Sequence, residues 1–291
     1  MSDKKTIIVF GANGMLGRRV IESLVKKKVG KAYGLTSADC DITDPEAVSK
    51  TVAEFAPDVI INCAAYTAVD KAEDDAETAD KVNNLASGYL AKAAKTNDAL
   101  LIHVSTDYVF DGEATSPYTE EMRKAPLGVY GKTKSDGEDA IVATGCKHVI
   151  VRTQWLYDAD GKNFFLTMLR LFGEKDELNV VNDQTGSPTY AGDLAKAIVK
   201  IALEYEGQDG IYQFANYGTC TWYDFAMSIA QIAEAETEIH PVSTDKYPTR
   251  ARRPHYSVLS TEKIANTFGV KVPHWRQALN RCFNRLKKNN E

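Results

Sequence analysis

The run Gly11-Ala12-Asn13-Gly14-Met15-Leu16-Gly17 constrains this chain more than any other stretch, because its three glycines separate two segments of different periodicity. Before it, Lys5 to Phe10 is a short β-branched run; after it, Leu16, Val20, Ile21, Leu24 and Val25 recur at helical spacing. Strand, turn and helix in that order predict a βα unit. Its side-chain-free turn lets the backbone approach a pyrophosphate and aims a helix N-terminus at the negative charge. The spacing is G-x-x-G-x-x-G, not the six-residue dinucleotide fingerprint, so the glycines taken alone also read as a plain connection.

The same alternation continues. Apolar runs at 7–10, 59–61, 100–104 and 149–151 are interleaved with helical patterns at 16–27, 45–55, 78–94 and 130–143. This predicts an α/β fold with a Rossmann-type, doubly wound parallel sheet, covered on both faces, with ligands at the carboxyl ends of its strands. Thr43-Asp44-Pro45-Glu46 has capping-box spacing headed by Thr43, with an early-helix proline. Residues 1–155 are assigned to the dinucleotide-binding domain and 156–291 mainly to a smaller, partly interleaved substrate lobe, part of 175–215 returning to the first domain. The lobe is expected to hold helices near 164–172, 193–203, 222–235 and 275–286 and a strand near 178–181. No Gly/Pro/Ser-rich linker separates the two, so they should share one cleft. Prolines 241, 248, 254 and 273 break up the stretch 240–275, which carries the basic cluster Arg250-Ala251-Arg252-Arg253.

Composition narrows the class. A chain of 291 residues with 44% hydrophobic and 26% charged residues has material for a sizeable core. A net charge of −5 argues against a nucleic-acid surface, and no run approaches the ~20 apolar residues of a membrane helix. Cys40, Cys63, Cys146, Cys220 and Cys282 are odd in number and unpaired in spacing, as expected of reduced thiols in a cytoplasmic protein. The N-terminus shows no signal region, and Arg285 to Glu291 read as a solvated helix end. The five histidines lack ligand spacing and are given no role, and no metal site is expected.

Tyr130 and Lys134 stand four apart in a predicted helix, so a phenol and an ammonium share one face. A tyrosine is a sluggish acid at neutral pH, and an adjacent cation is expected to lower its pKa into the working range. Such pairs also occur by chance on surface helices; here the glycine turn upstream gives the pair its context.

Together the two motifs resemble the extended short-chain dehydrogenase/reductase family. Ile61 to Glu73, the block Val104-Ser105-Thr106-Asp107-Tyr108-Val109-Phe110-Asp111-Gly112 and Asn182 to Thr189 narrow the resemblance to its dTDP-4-dehydrorhamnose reductase branch, along about residues 6 to 285. The resemblance implies reduction of the C4 ketone of a dTDP-sugar by NAD(P)H. Tyr130, Lys134 and Thr106 are the implied catalytic residues. Tyr130 would protonate the ketone oxygen, Thr106 polarise it, and Lys134 hold the nicotinamide ribose. Gly11, Gly14, Met15, Leu16, Gly17, Arg18, Thr36, Asp41, Ile42, Ala65, Tyr66, Thr67 and Val104 are the further cofactor-binding positions, with Asn62 in the same loop. Val69, Asp107, Tyr108, Trp155 and Arg253 are implied on the substrate, together with Thr106.

Several of these positions have an ordinary alternative. Thr106 suits any strand end, Trp155 any core, Asp41 a helix start, and Arg253 a solvated loop. The second strand ends at Thr36 and Ser37, where an acid would grip a ribose 2′-hydroxyl; with Arg18 nearby, this predicts NADPH, with NADH possible. Relatives often dimerise, some through a magnesium ion held by glutamates near the N-terminus, but the surroundings of Met15 offer no carboxylate cluster, which argues against Mg²⁺ here. Two other functions stay open: a nucleotide-sugar epimerase or dehydratase that returns the hydride, and a regulatory subunit resembling that of methionine adenosyltransferase.

Overall fold

The computed structural model describes residues 5–289, so the expectations placed on Met1–Lys4, Asn290 and Glu291 lie outside the described residues. Its centre is a sheet of six parallel strands: β1 (Thr6–Phe10), β2 (Lys31–Leu35), β3 (Val59–Asn62), β4 (Leu100–Thr106), β5 (His148–Thr153) and β6 (Gly210–Gln213). Across the sheet the order is β6-β5-β4-β3-β1-β2. β1, β3, β4 and β5 are almost wholly buried, because helices cover both faces of a parallel sheet and leave no solvent side on which polar residues would alternate. β2 forms one edge, with three of its five residues exposed.

The winding reverses between β1 and β3, which places a crevice at their carboxyl ends. The loops leaving these strands touch there. Gly11 has φ +74°, and a Cβ on it would stand 2.6 Å from the Ala64 nitrogen; one on Gly17 would stand 2.1 Å from the Gly11 carbonyl. Backbone therefore packs directly on backbone where the turn, the loop after β3 and the start of the helix Met15–Lys26 meet, because side chains have no room.

The helix Pro45–Phe55 falls where the sequence puts it, but its cap is Asp44 and not Thr43. Asp44 Oδ1 accepts the N–H groups of Glu46 and Ala47, whereas the Thr43 hydroxyl donates to Asp41. One residue of register decides this, because Pro45 occupies the first helical turn and makes its predecessor the cap. Asp44→Ala should cost about 1 kcal/mol in denaturant unfolding, and Thr43→Ala clearly less.

One long helical run, Ala76–Asp80, Lys81–Leu85 and Ala86–Thr96, has a π turn as its middle section. The helix Val129–Thr144 packs beside it closely enough that a Cβ on Gly137 would be 2.1 Å from the Asn83 carbonyl. Separate apolar clusters fill the two faces of the sheet, one including Ile7, Val9, Ile61 and Ile102, the other Ile8, Phe10, Ile60 and Leu101.

A second body is built from the helices Phe164–Phe172, Trp222–Ala233 and Trp275–Asn289 around Tyr157, Phe225 and Trp275, with the parallel strand pair Glu177–Val181 and Glu238–Val242 at its edge. The chain passes between the two bodies repeatedly. The helix Ala191–Glu204 and β6 return to the sheet, and so do Ile264, Phe268 and Val270, a further return that the sequence boundaries did not place.

Candidate active site

β4 delivers its last residue, Thr106, to the carboxyl end of the sheet, and Asp107–Val109 turn immediately as a 3-10 segment. The helix Val129–Thr144 lies against that turn because residue 131 is glycine: a Cβ there would come 2.2 Å from the Tyr108 carbonyl. Glu73 fixes the start of this helix by accepting the Val129 N–H at 2.9 Å, a carboxylate at the positive end of the helix dipole. Tyr130 is thereby brought to the same end of β4 as Thr106, whose hydroxyl opposes the rise of the phenol's pKa, and lies edge-on to Tyr108 at 5.5 Å between ring centroids. Gly131→Ala should push the helix off the turn and lower kcat/KM about 10²-fold while the protein still unfolds cooperatively; steady-state kinetics and a thermal melt check both parts.

Lys134, buried one turn further on, does not reach for the phenol. Its Nζ donates to the Val104 carbonyl at 2.7 Å and lies 3.0 Å from His103 Nε2. Burial brings this ammonium down to about 8, against an opposing pull from Glu138. Burial also pushes the Tyr130 phenol up, with Thr106 opposing the rise and Asp107 and Tyr108 adding to it. The expected lowering of the phenol by Lys134 is thus absent. The lysine is committed to β4, and desolvation dominates the ring.

Asp107 is buried beside Thr106, whose hydroxyl donates to its Oδ1 at 2.9 Å, while Oδ2 has no partner. Burial raises this carboxyl to about 7. Arg253 joins from the irregular basic loop: it donates to Asp70 at 2.5 Å and to the Tyr108 hydroxyl at 2.9 Å. Asp70 lies in the short helix Val69–Ala72, so Val69 and Arg253 come to the same rim. Trp155, just past β5, takes φ +45°, a strained backbone for a bulky residue, and stacks on Trp222 at 3.6 Å.

The residues expected on a cofactor divide. Gly11, Gly14, Met15, Leu16 and Gly17 form the turn and helix start after β1. Ala65, Tyr66 and Thr67 lie in the loop after β3, which Asn83 of the π turn holds by accepting the Tyr66 N–H at 2.9 Å and donating to the Tyr66 carbonyl at 3.1 Å. Arg18 is exposed and donates to the Asn13 carbonyl, and Asp41 is spent on the N–H and hydroxyl of Thr43. The Ile42 side chain is buried in the core with Val48 and Val52.

The β2 terminus corrects the sequence argument about an absent acid. Asp39 folds back so that its Oδ2 accepts the Thr36 N–H at 2.8 Å and the Thr36 hydroxyl at 2.7 Å, bonds that hold its carboxyl below the usual range. An acid does stand at Thr36, brought there by a turn. Sequence reasoning also passed over Asn83, His103, Glu138 and Arg152, whose partners all come from other elements.

The description "RmlD substrate binding domain" belongs to a family model that matches residues 5–288. The chain belongs to this family. Among its relatives, the dTDP-4-dehydrorhamnose reductase of Escherichia coli strain K12 is 42% identical over 96% of this chain and 97% of that protein. A spore coat polysaccharide biosynthesis protein of Bacillus subtilis is 40% identical over 94% and 95%. The solved structure of a dTDP-4-dehydrorhamnose reductase from Bacillus anthracis in complex with NADP is 38% identical, covers 97% of this chain and 100% of that one, and superposes with a TM-score of 0.93. A UDP-glucose 4-epimerase from Thermus thermophilus shares the fold at 21% identity, with 97% and 99% coverage and a TM-score of 0.81. As an RmlD-family protein, the chain carries a Rossmann-like sheet of the kind seen in reductases and epimerases alike. Among the described residues, no helix is long and apolar enough to cross a membrane and no group of side chains is placed to hold a metal ion.

Proposed function

We propose that the chain reduces the C4 ketone of dTDP-4-dehydro-β-L-rhamnose to dTDP-β-L-rhamnose, the last step of dTDP-rhamnose formation, using NADPH and accepting NADH. The observation that carries the reading is that Tyr130 and Thr106 come together with Tyr108 at the carboxyl end of β4, in a chain 42% identical to a reductase over nearly its full length.

The turn after β1 fits a dinucleotide, since its glycines let it pack backbone on backbone against the loop after β3 and the start of the helix Met15–Lys26, whose N-terminus suits a pyrophosphate. The nicotinamide supplies hydride to C4. Tyr130, protonated at neutral pH, gives its proton to the C4 oxygen. Thr106 hydrogen-bonds the same oxygen. Lys134 holds the nicotinamide ribose and offsets the charge left on the phenol. Arg253, already oriented by Asp70 and Tyr108, engages the nucleotide diphosphate, and Trp155 lies along the sugar. Thr36 and Asp39 face the adenosine ribose, where the Asp39 carboxylate lets NADH be accepted beside NADPH.

The test is consumption of NADPH by the purified protein in the presence of dTDP-4-dehydro-L-rhamnose. Turnover that yields dTDP-rhamnose supports the reading. Failure to turn over in a folded protein that binds NADPH overturns it and favours the regulatory-subunit alternative. The reading includes a cytoplasmic homodimer, for which light scattering should give twice the chain mass.

A further inference from the structure

The block Asn182 to Thr189 has no part in the proton or hydride transfer, yet its residues converge on Trp155 and on the ring that covers it. Trp155 follows β5, whose Thr153 lies in register with Thr106, so its indole enters at the end of the sheet where the ketone is reduced. Its φ of +45° is one that a bulky residue keeps only where the surroundings over-determine it. The Trp155 carbonyl accepts the Thr189 N–H at 3.1 Å. The preceding Gln154, 2% exposed, accepts through Oε1 the Ser187 N–H and the Ser257 hydroxyl, both at 3.1 Å. The indole closes on Gly186, where a Cβ would stand 2.5 Å from Trp155 Cε2 and 2.7 Å from Cζ2. The Trp222 ring covers the indole, with centroids 3.6 Å apart and planes 12° from parallel.

Trp222 is itself firmly placed. Thr185–Gly186 pairs antiparallel with Cys220–Thr221, and Thr221 caps the next helix in a box with Asp224, which makes Trp222 its first residue. The indole N–H of Trp222 donates to Gln184 Oε1 at 3.2 Å, and Gln184 Nε2 donates in turn to the Thr244 hydroxyl at 3.0 Å. Phe164 packs on Trp222 at 4.7 Å between ring centroids.

We propose that Trp222 and Gly186 are positioning residues that hold Trp155 in its left-handed backbone, with the indole set where it meets the sugar of the substrate. The stack supplies the attraction that offsets the strained φ, and the missing Cβ at residue 186 supplies the room. Without either, Trp155 relaxes toward an ordinary φ and its ring leaves the sugar. The crevice between β1 and β3, built from other elements, is untouched, so the loss falls on the sugar nucleotide and not on the dinucleotide.

The kinetic part of this proposal rests on the reductase reading. In the full chain, Trp222→Ala should lower kcat/KM for dTDP-4-dehydro-L-rhamnose about tenfold, mostly through KM, with NADPH affinity unchanged. Trp222→Phe keeps a stacking ring and should recover most of the loss, whereas Gly186→Ala should repeat it by driving a Cβ into the indole. In a Trp155→Ala background neither Trp222→Ala nor Gly186→Ala should cost anything further, since nothing is left to position. Losses in that background as large as in the wild type overturn the proposal, as does an unchanged KM in Trp222→Ala. Should Trp222→Ala fail to fold, Gly186→Ala in the two backgrounds decides. Fluorotryptophan in place of the three tryptophans gives a readout that needs no turnover. The Trp155 resonance, assigned by its loss in Trp155→Phe, should be sharp in the wild type and broaden in Trp222→Ala and Gly186→Ala; a line that stays sharp in both overturns the proposal. Failure of the reductase reading would appear instead as a wild type without turnover whose Trp155 line still broadens in the variants.

Discussion

Tyr130→Phe should lower kcat by about 10²–10⁴-fold, the range expected when a positioned proton donor is removed. Affinity for NADPH should change by less than about threefold, since the phenol is not what the dinucleotide binds first. The ring itself is well anchored: it packs edge-on to Tyr108, and its helix is pinned by the Glu73 contact and by the Gly131 approach. Loss of the hydroxyl therefore removes a proton and little else. Thr106→Val should be milder, because it leaves the donor in place and removes only the hydrogen bond that polarises the oxygen. Pre-steady-state mixing separates chemistry from binding. A Tyr130→Phe variant with near-normal kcat would show that the proton comes from another group.

The largest effect on stability is expected beneath the site. Arg152, 1% exposed on β5, donates to both carboxylate oxygens of Glu138 at 2.9 and 2.8 Å, and the Ser105 hydroxyl donates to the same carboxylate at 2.6 Å. The pair ties the helix bearing Tyr130 and Lys134 to the two strands at its back. Arg152→Met alone leaves the buried Glu138 carboxylate with only the more distant Lys124 ammonium, 3.5 Å away, to offset its charge and should cost about 3–5 kcal/mol. Arg152→Met combined with Glu138→Leu should recover most of that loss, because desolvating two charges is itself costly. Urea unfolding of the four proteins of this cycle measures the coupling. Equal losses for the single and the double variant would show that packing, and not charge, holds the helix.

What could be read from the sequence was local or periodic. The turn Gly11–Gly17, the helix Pro45–Phe55 and the Tyr130–Lys134 spacing all express rules that act within a few residues, and the structure shows each of these elements. What could not be read depends on contacts between distant elements. The π turn Lys81–Leu85 has no periodic signature, yet it carries the Asn83 that holds the Tyr66 loop. Asp39 reaches Thr36 through a turn whose geometry outranks simple position counting. His103 reads as one more strand residue until Asn62 from β3 and Lys134 from the neighbouring helix meet it from either side. The same limit explains the phenol. Spacing brought Lys134 to its face of the helix, but where Nζ would point depended on the Val104 carbonyl.

The central claim, that this site delivers a hydride to the sugar and does not take it back, is tested most directly by following a label. Reduced cofactor carrying deuterium at the transferable position should place one deuterium at C4 of the product dTDP-rhamnose, with one oxidised cofactor released per sugar. Deuterium retained on a cofactor that stays bound while the sugar is only epimerised, or no label on any sugar, would contradict the account.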